Sequence, residues 1–205
     1  MCGRFGSSFG AQDLAKTYDL ISQPDFEIKS NSDIRPSQLI VTLTKNSPLV
    51  ARQMRWGFIP TWADPSKTKI KPINARSDKL GGNFYRSDFE SNRCLIPASF
   101  FYEWKKEKIE GKLVKTPFRF KIKDTNIFSF AGIYSSHQDA EGKIHYMTAI
   151  ITTSANSLMK KVHDRMPVII DINDTAKYFE SLQKAKMLLK PYDEERMECE
   201  EVNTV

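Results

Sequence analysis

Residues 117–123 read PFRFKIK, residues 127–134 IFSFAGIY and residues 144–153 IHYMTAIITT. In the first, Phe118, Phe120 and Ile122 alternate with Arg119, Lys121 and Lys123. That period of two lays apolar side chains on one face of a strand and cations on the other. The other two stretches, rich in β-branched and aromatic residues, predict the arms of a further hairpin. Outward from these, QLIVTLT (38–44) and LVARQMRWGF (49–58) read as strands around the turn residues Lys45, Asn46, Ser47 and Pro48. CLIPASFFY (94–102) predicts a buried strand in which Pro97 marks an edge or a bulge. Helical spacing is confined to 11–20, where Leu14, Tyr18 and Leu20 share a face, and to 155–162 and 174–189. Strands outnumber helices and lie close in sequence, which predicts an α+β fold. It is read as a single domain over 1–205, a mainly antiparallel β core with peripheral helices.

The composition excludes several classes. With 205 residues, 40% hydrophobic and 27% charged, the chain is neither collagen-like, coiled-coil nor wholly disordered. Cys2, Cys94 and Cys199 lie far apart with no Cys-x-x-Cys pair, and there are three histidines. A dense disulfide framework is excluded, and a zinc finger or ribbon is not expected. No apolar run approaches the ~20 residues of a membrane-spanning helix, and the first residues lack the apolar core of a secretory signal. The expectation is a cytoplasmic protein with reduced thiols and no membrane partner. Lys and Arg number 31 against 25 Asp and Glu, a formal charge of +6. That balance suits a polyanionic partner such as nucleic acid, though incidental basicity gives the same count. No phosphate-binding glycine motif is present, so no nucleotide cofactor is expected, and no metal or other cofactor either.

The stretch from Ile59 to Arg93 carries little periodicity, and a long irregular segment within a compact domain is commonly functional. Cys2 follows the initiator methionine. Removal of Met1 leaves an α-amine titrating near 7.7–8.0 beside a thiol near 8.5, a 1,2-aminothiol. An aldehyde condenses with such an amine to an imine, and the thiol then closes a thiazolidine ring. The same pair also suits N-terminal-nucleophile hydrolysis, with the amine as base. By position alone, Cys2 is more simply an incidental residue near the chain start. His163, in VHDRMP, stands between a helical stretch and a strand, suited to proton transfer or to a structural role alike. His137 and His145 flank a turn and read as exposed. Glu103 closes the aromatic run FFYEW. Embedded there it would be desolvated, which raises a carboxyl pKa toward that of a general acid; a strand-end Glu facing water fits the same spacing. Arg52, Arg55, Trp56, Trp62, Arg76, Tyr85, Arg86, Arg93, Trp104, Lys105 and Lys106 interleave cations and rings, the composition of a single-stranded nucleic-acid groove. Core aromatics beside solvated arginines give the same pattern, and Trp56 is expected to be partly that.

These segments together resemble one family. MCGRF (1–5), RWGFIPTWA (55–63), NARSD (74–78), RCLIPASFFYEW (93–104), TPFRFKI (116–122), FAGIY (130–134), TTSAN (152–156) and HDRMPVI (163–169) occur in the order of the SRAP family, the SOS response-associated peptidases. The resemblance runs from residue 1 to about 170. It implies β-sheets curled around a cleft and a monomer that recognises abasic sites in single-stranded DNA and crosslinks to them through a thiazolidine at Cys2. The cell-level expectation is nucleoid association during DNA damage. By the same resemblance, Asn74 orients the terminus and the sugar, Glu103 is the acid/base, and His163 assists it. Arg4, Arg76 and Arg165 are phosphate ligands, and Trp62 and Trp104 stack on bases or act as wedges. The family name adds self-catalysed removal of Met1 and a weak lyase activity. The alternative is a cysteine peptidase or N-terminal-nucleophile amidohydrolase using Cys2. The chain departs from the family pattern at Asp33, where Asn is usual, Arg35, where Ala is common, Asp78, where Glu is usual, and Tyr134, where Trp is usual.

Overall fold

A computed structural model describes residues 2–20, 24–45 and 49–203. In chain order it contains β1 (Phe5–Ser7), α1 (Ala11–Tyr18), β2 (Asn31–Ile34), β3 (Leu39–Thr44), β4 (Val50–Trp56), β5 (Asn74–Arg76), α2 (Arg86–Ser91), β6 (Arg93–Ala98) and β7 (Phe100–Ile109). There follow β8 (Lys112–Ile122), β9 (Phe128–Gln138), β10 (Ile144–Ser154), α3 (Ser157–Lys160), β11 (Arg165–Pro167), β12 (Ile169–Ile170), α4 (Thr175–Glu180), α5 (Leu182–Met187) and β13 (Met197–Glu201). The fold is α+β, with short helices around two sheets, and no described helix is long and apolar enough to cross a membrane.

The five-stranded sheet is antiparallel throughout, in the order β13-β8-β7-β1-β2. The eight-stranded sheet runs β11-β10-β4-β3-β6-β9-β12, with β5 beside β10. Because β10 also pairs with β9, the pairings β10-β4-β3-β6-β9 return to β10 and the sheet closes on itself. Within it, β10 runs parallel to β4 and β5. Closure gives the central strands two buried faces, which accounts for near-continuous apolar runs in place of alternation. Along β9, Phe128 and Phe130 enter the cluster that holds Cys2, Phe5, Trp56, Phe101 and Met159. Ala131 and Ile133 enter the opposite one with Leu14, Leu43, Tyr178 and Phe179.

The run 94–102 is not one strand. It is β6 and β7, turned at Ser99 from the closed sheet into the other. The Ser99 N–H donates to Gly6 O at 2.8 Å, and Ser99 Oγ accepts from the Ser8 N–H at 2.9 Å. Pro97, without an N–H, sits where its strand pairs with β9 through Ser129 while the β3 ladder has already stopped at Leu95. Gly6 is required at this corner: a Cβ there would collide with the Phe100 ring.

Other elements also differ from the spacing. Of 155–162 only α3 is helical, with Asn156 Oδ1 accepting from the Met159 N–H at 2.8 Å as its cap. The stretch 174–189 is two helices broken at an extended Ser181. Within the irregular segment 59–93, β5 and α2 form. Strands β1, β2 and β13 carry too few residues to announce themselves by period. The β7–β8 turn places Glu110 and Gly111 at φ of 48° and 78°, the left-handed pair a tight hairpin demands. The predicted turn at 45–48 lies, beyond Lys45, outside the described residues.

Candidate active site

Cys2 leads into β1, the strand inserted between β7 and β2. Its side chain is fully buried, and its carbonyl oxygen accepts from Asn74 Nδ2 at 2.9 Å. Asn74 opens β5, held beside β10 in the register Ile150↔Asn74. The preceding residue is pinned from two sides: Ile73 O accepts from the Ile150 N–H at 3.0 Å and from Trp56 Nε1 at 2.9 Å. Trp56, fully buried, meets the Phe5 ring edge-on at 5.2 Å between centroids. The RWGF and NAR segments thus fix one another, and both fix the chain start. Asn74 Oδ1 is buried and has no hydrogen-bond partner among the described residues.

Glu103 lies on β7 opposite Phe118 and is 4% exposed. It shares its strand face with the buried Phe101, so it points inward and not to water. Burial pushes the Cys2 thiol well above its ordinary pKa, and the Glu103 carboxylate adds to that rise. The thiol and the carboxylate are therefore electrostatic neighbours inside the protein.

His163 follows α3, whose Met159 packs in the same cluster as Cys2. The ring is part-buried. Its Nδ1 accepts from the Arg165 N–H at 3.0 Å and lies 2.9 Å from Asp164 Oδ1. An Nδ1 that accepts the backbone bond leaves the ring proton on Nε2.

The arginines do not form one uniform track. Arg76 binds Asp78 through Nε at 3.0 Å and Nη2 at 2.9 Å. Arg165 donates through Nη2 to Thr152 O at 2.6 Å. Desolvation first, and the charge of Arg76 second, lower the Arg165 guanidinium below its ordinary range. The two flank the end of β10, with Arg76 opposite Thr152 and Arg165 opposite Ser154. Arg4 pairs with Asp33 at 2.6 Å, and its guanidinium lies 5.6 Å from the Trp104 ring centroid. Asp33 also takes Arg35, which holds its carboxyl below the usual carboxylate range. The Asp33 and Arg35 departures thus answer one another as an ion pair.

Trp62 stands apart from these groups, 63% exposed, edge-on to Phe84 at 6.3 Å. Its loop is tied down through the neighbouring Thr61, whose N–H donates to Asp88 Oδ2 at 3.1 Å. Asp88, 1% exposed, carries no sequence signal of its own; only its place in the first turn of α2, beside the Thr61 donors, gives it meaning. Arg93, placed by composition in the groove, is instead buried. It donates to the carbonyls of Phe89, Glu90 and Tyr178, holding the end of α2. His145 is exposed, but His137 is half-buried, its Nε2 3.0 Å from Ile59 O.

Comparison with known proteins adds to this geometry. The family model described as SOS response associated peptidase (SRAP) matches residues 1–205. The chain is 36% identical over 212 residues to a Bacillus subtilis (strain 168) protein named abasic site processing protein YoqW, covering 100% of this chain and 93% of that one. It is 33% identical over 145 residues to a Xenopus tropicalis protein named abasic site processing protein HMCES, covering 62% of this chain and 43% of that one. A solved structure from Bacteroides thetaiotaomicron superposes with a TM-score of 0.87 at 27% identity, covering 98% of this chain and 92% of that one. One from Bordetella bronchiseptica, at 23% identity and a TM-score of 0.84 over 99% of this chain and 100% of that one, shares the fold.

Proposed function

The chain belongs to the SOS response associated peptidase (SRAP) family, and from that premise we propose that it captures abasic sites in single-stranded DNA as a covalent thiazolidine on Cys2. Removal of Met1 frees the Cys2 amine. The open-chain abasic sugar presents an aldehyde; the amine adds to it, water leaves, and an imine forms. The thiol sulfur then bonds to the imine carbon while the thiol proton passes to nitrogen, closing the ring. A thiol held well above its ordinary pKa arrives as S–H, so ring closure needs a nearby base. Glu103 is that base, and it returns the proton when the ring reopens. It also serves ring opening of the closed sugar, with His163 assisting. Asn74 fixes the terminus, and its buried Oδ1, without a partner among the described residues, is the acceptor for the freed amine or a sugar hydroxyl. Arg4, Arg76 and Arg165 take phosphates, while Trp62 and Trp104 take bases. The protein acts as a cytoplasmic monomer on nucleoid DNA during damage, protecting the abasic site.

The observation that carries this reading is that Asn74 bonds the Cys2 carbonyl while the buried Glu103 acts by its charge on the buried Cys2 thiol. Purified protein incubated with an abasic single-stranded oligonucleotide should give a heat-stable band on a denaturing gel, and its intact mass should be one Met short of the full sequence. Cys2→Ala should abolish the band, and Cys2→Ser should leave at most an imine trapped by borohydride. A full-length mass with full crosslinking would overturn the mechanism, and a stable band in Cys2→Ala would move the nucleophile elsewhere. Hydrolysis of a peptide with no band at all would favour the peptidase reading.

A further inference from the structure

Strands β7 and β8 run beyond the body of the five-stranded sheet as a two-stranded ribbon. The neighbouring β13 ends at Glu201 opposite Phe118, while β7 and β8 continue pairing to Ile109↔Lys112. Alternation divides the ribbon into two unlike faces. One face carries Trp104, Lys106 and Lys108 opposite Pro117, Lys115 and Leu113. The other carries Lys105, Glu107 and Ile109 opposite Thr116, Val114 and Lys112, and there Lys105 pairs with Glu107 at 2.8 Å.

The Trp104 face is the unusual one. Lys106 and Lys115 are directly opposite each other, Lys108 lies on the same face, and all three are exposed. That face of the ribbon carries no acid, and no ion pair among the described residues engages these three lysines. Like charges directly across an antiparallel pair are destabilising in the free chain. Nearer the body of the sheet, by contrast, Arg119 and Lys121 on the same face are answered by Glu200 of β13. The face is continuous with the candidate site through Trp104, whose ring lies beneath the Arg4 guanidinium. Same-face residues recur every ~6.8 Å, so the lysines extend about 13 Å from Trp104.

We propose that this ribbon face is a second, electrostatic track for the single-stranded DNA that flanks the captured site, with Lys106, Lys108 and Lys115 each neutralising a backbone phosphate. The inference rests on the reading of the chain as an abasic-DNA protein. A polyanion laid along the face relieves the Lys106–Lys115 repulsion, so occupancy and ribbon stability favour each other.

The test compares K106A/K108A/K115A with wild type on a 15-nucleotide single strand bearing a central tetrahydrofuran abasic analogue. The analogue has no aldehyde, so anisotropy reads binding alone. Three phosphate contacts at about 0.7 each predict that the salt slope of log K becomes shallower by ~2. The triple Lys→Arg variant should keep the wild-type slope. Crosslinking of an abasic trinucleotide, too short to reach the ribbon, should be unchanged in K106A/K108A/K115A. An unchanged slope in that variant, an equal loss on the trinucleotide, or an equal loss from K105A/K112A on the opposite face overturns the proposal. Wild-type protein that neither binds nor crosslinks overturns the functional reading itself. Normal crosslinking with an unaltered lysine-variant slope overturns the ribbon alone.

Discussion

Asn74 Nδ2 donates to the carbonyl oxygen of Cys2 at 2.9 Å, joining residues 72 positions apart in the chain. The bond holds the backbone of the chain start, not the thiol, so it governs where the Cys2 nitrogen sits. Asn74→Asp keeps the size and removes the amide donor. Misplacing a reacting group by an ångström costs on the order of 10²-fold in rate. Single-turnover crosslinking should slow by up to about that factor, while binding of the tetrahydrofuran oligonucleotide stays at the wild-type level. Loss of binding with an unchanged rate would make Asn74 a DNA ligand instead.

Glu103→Gln should slow both adduct formation and its reversal, by about 10²–10⁴-fold if the carboxyl moves the protons. His163→Ala should slow them less. The checking experiment times formation, then chases with excess competing abasic DNA. A second readout separates charge from shape. Burial first, and the Glu103 carboxylate second, raise the Cys2 thiol pKa, so Glu103→Gln should lower it in part while leaving it above its ordinary value, followed by thiolate absorbance against Cys2→Ala.

Alkaline pH should destabilise the fold by a route independent of DNA. Burial pushes the Cys94 thiol from 9.0 up to about 12, and the Tyr18 hydroxyl from 10.0 up to about 12. Above pH 9 the unfolded chain releases these protons before the folded chain does, so stability falls as pH rises from 9 toward 12. Thermal melts across that range should show the decline, with a shallower slope in Cys94→Ala.

Asp33→Asn should tighten single-stranded DNA binding. Asp33 engages both Arg4 and Arg35, and removing its charge raises the positive potential that this pair of arginines presents to a phosphate. The salt slope should steepen by about 0.7 for one added contact. An unaltered slope in anisotropy titrations would mean that Arg4 does not meet the backbone.

Asp88→Ala should loosen the loop that carries Trp62. Asp88 accepts from the Thr61 N–H, the Thr61 hydroxyl and Asn92 Nδ2. These bonds are part-buried, and a typical hydrogen bond contributes about 0.5–1.5 kcal/mol net. A lowered melting temperature and faster depolarisation of Trp62 fluorescence, in a background where the other two tryptophans are Phe, would register both effects. Asp88→Asn should recover part of the loss.

The amino-acid order by itself determined the strands whose cause is local. Phe118, Phe120 and Ile122 alternate with charges because a pleated chain sends neighbours to opposite faces, and the structure keeps that order along β8. The eight ordered segments likewise pointed to the family and to Cys2, Asn74, Glu103 and His163. What no spacing contains is the partner of each strand. The same apolar run is one strand or two, and only the close approach of Gly6 to Phe100 and the Ser99 hydrogen bond to Gly6 O turn residues 94–102 into a corner between two sheets. The charges divide the same way. Arg4, Arg76, Arg93 and Arg165 look alike in sequence, yet Arg93 is spent on three backbone carbonyls while Arg4 shares one carboxylate, Asp33, with Arg35. Buried guanidinium groups must be paired, and the pairing groups come from as far as 85 residues away. Residue identity sets which chemistry is available, and tertiary contact decides which side chains remain accessible to perform it.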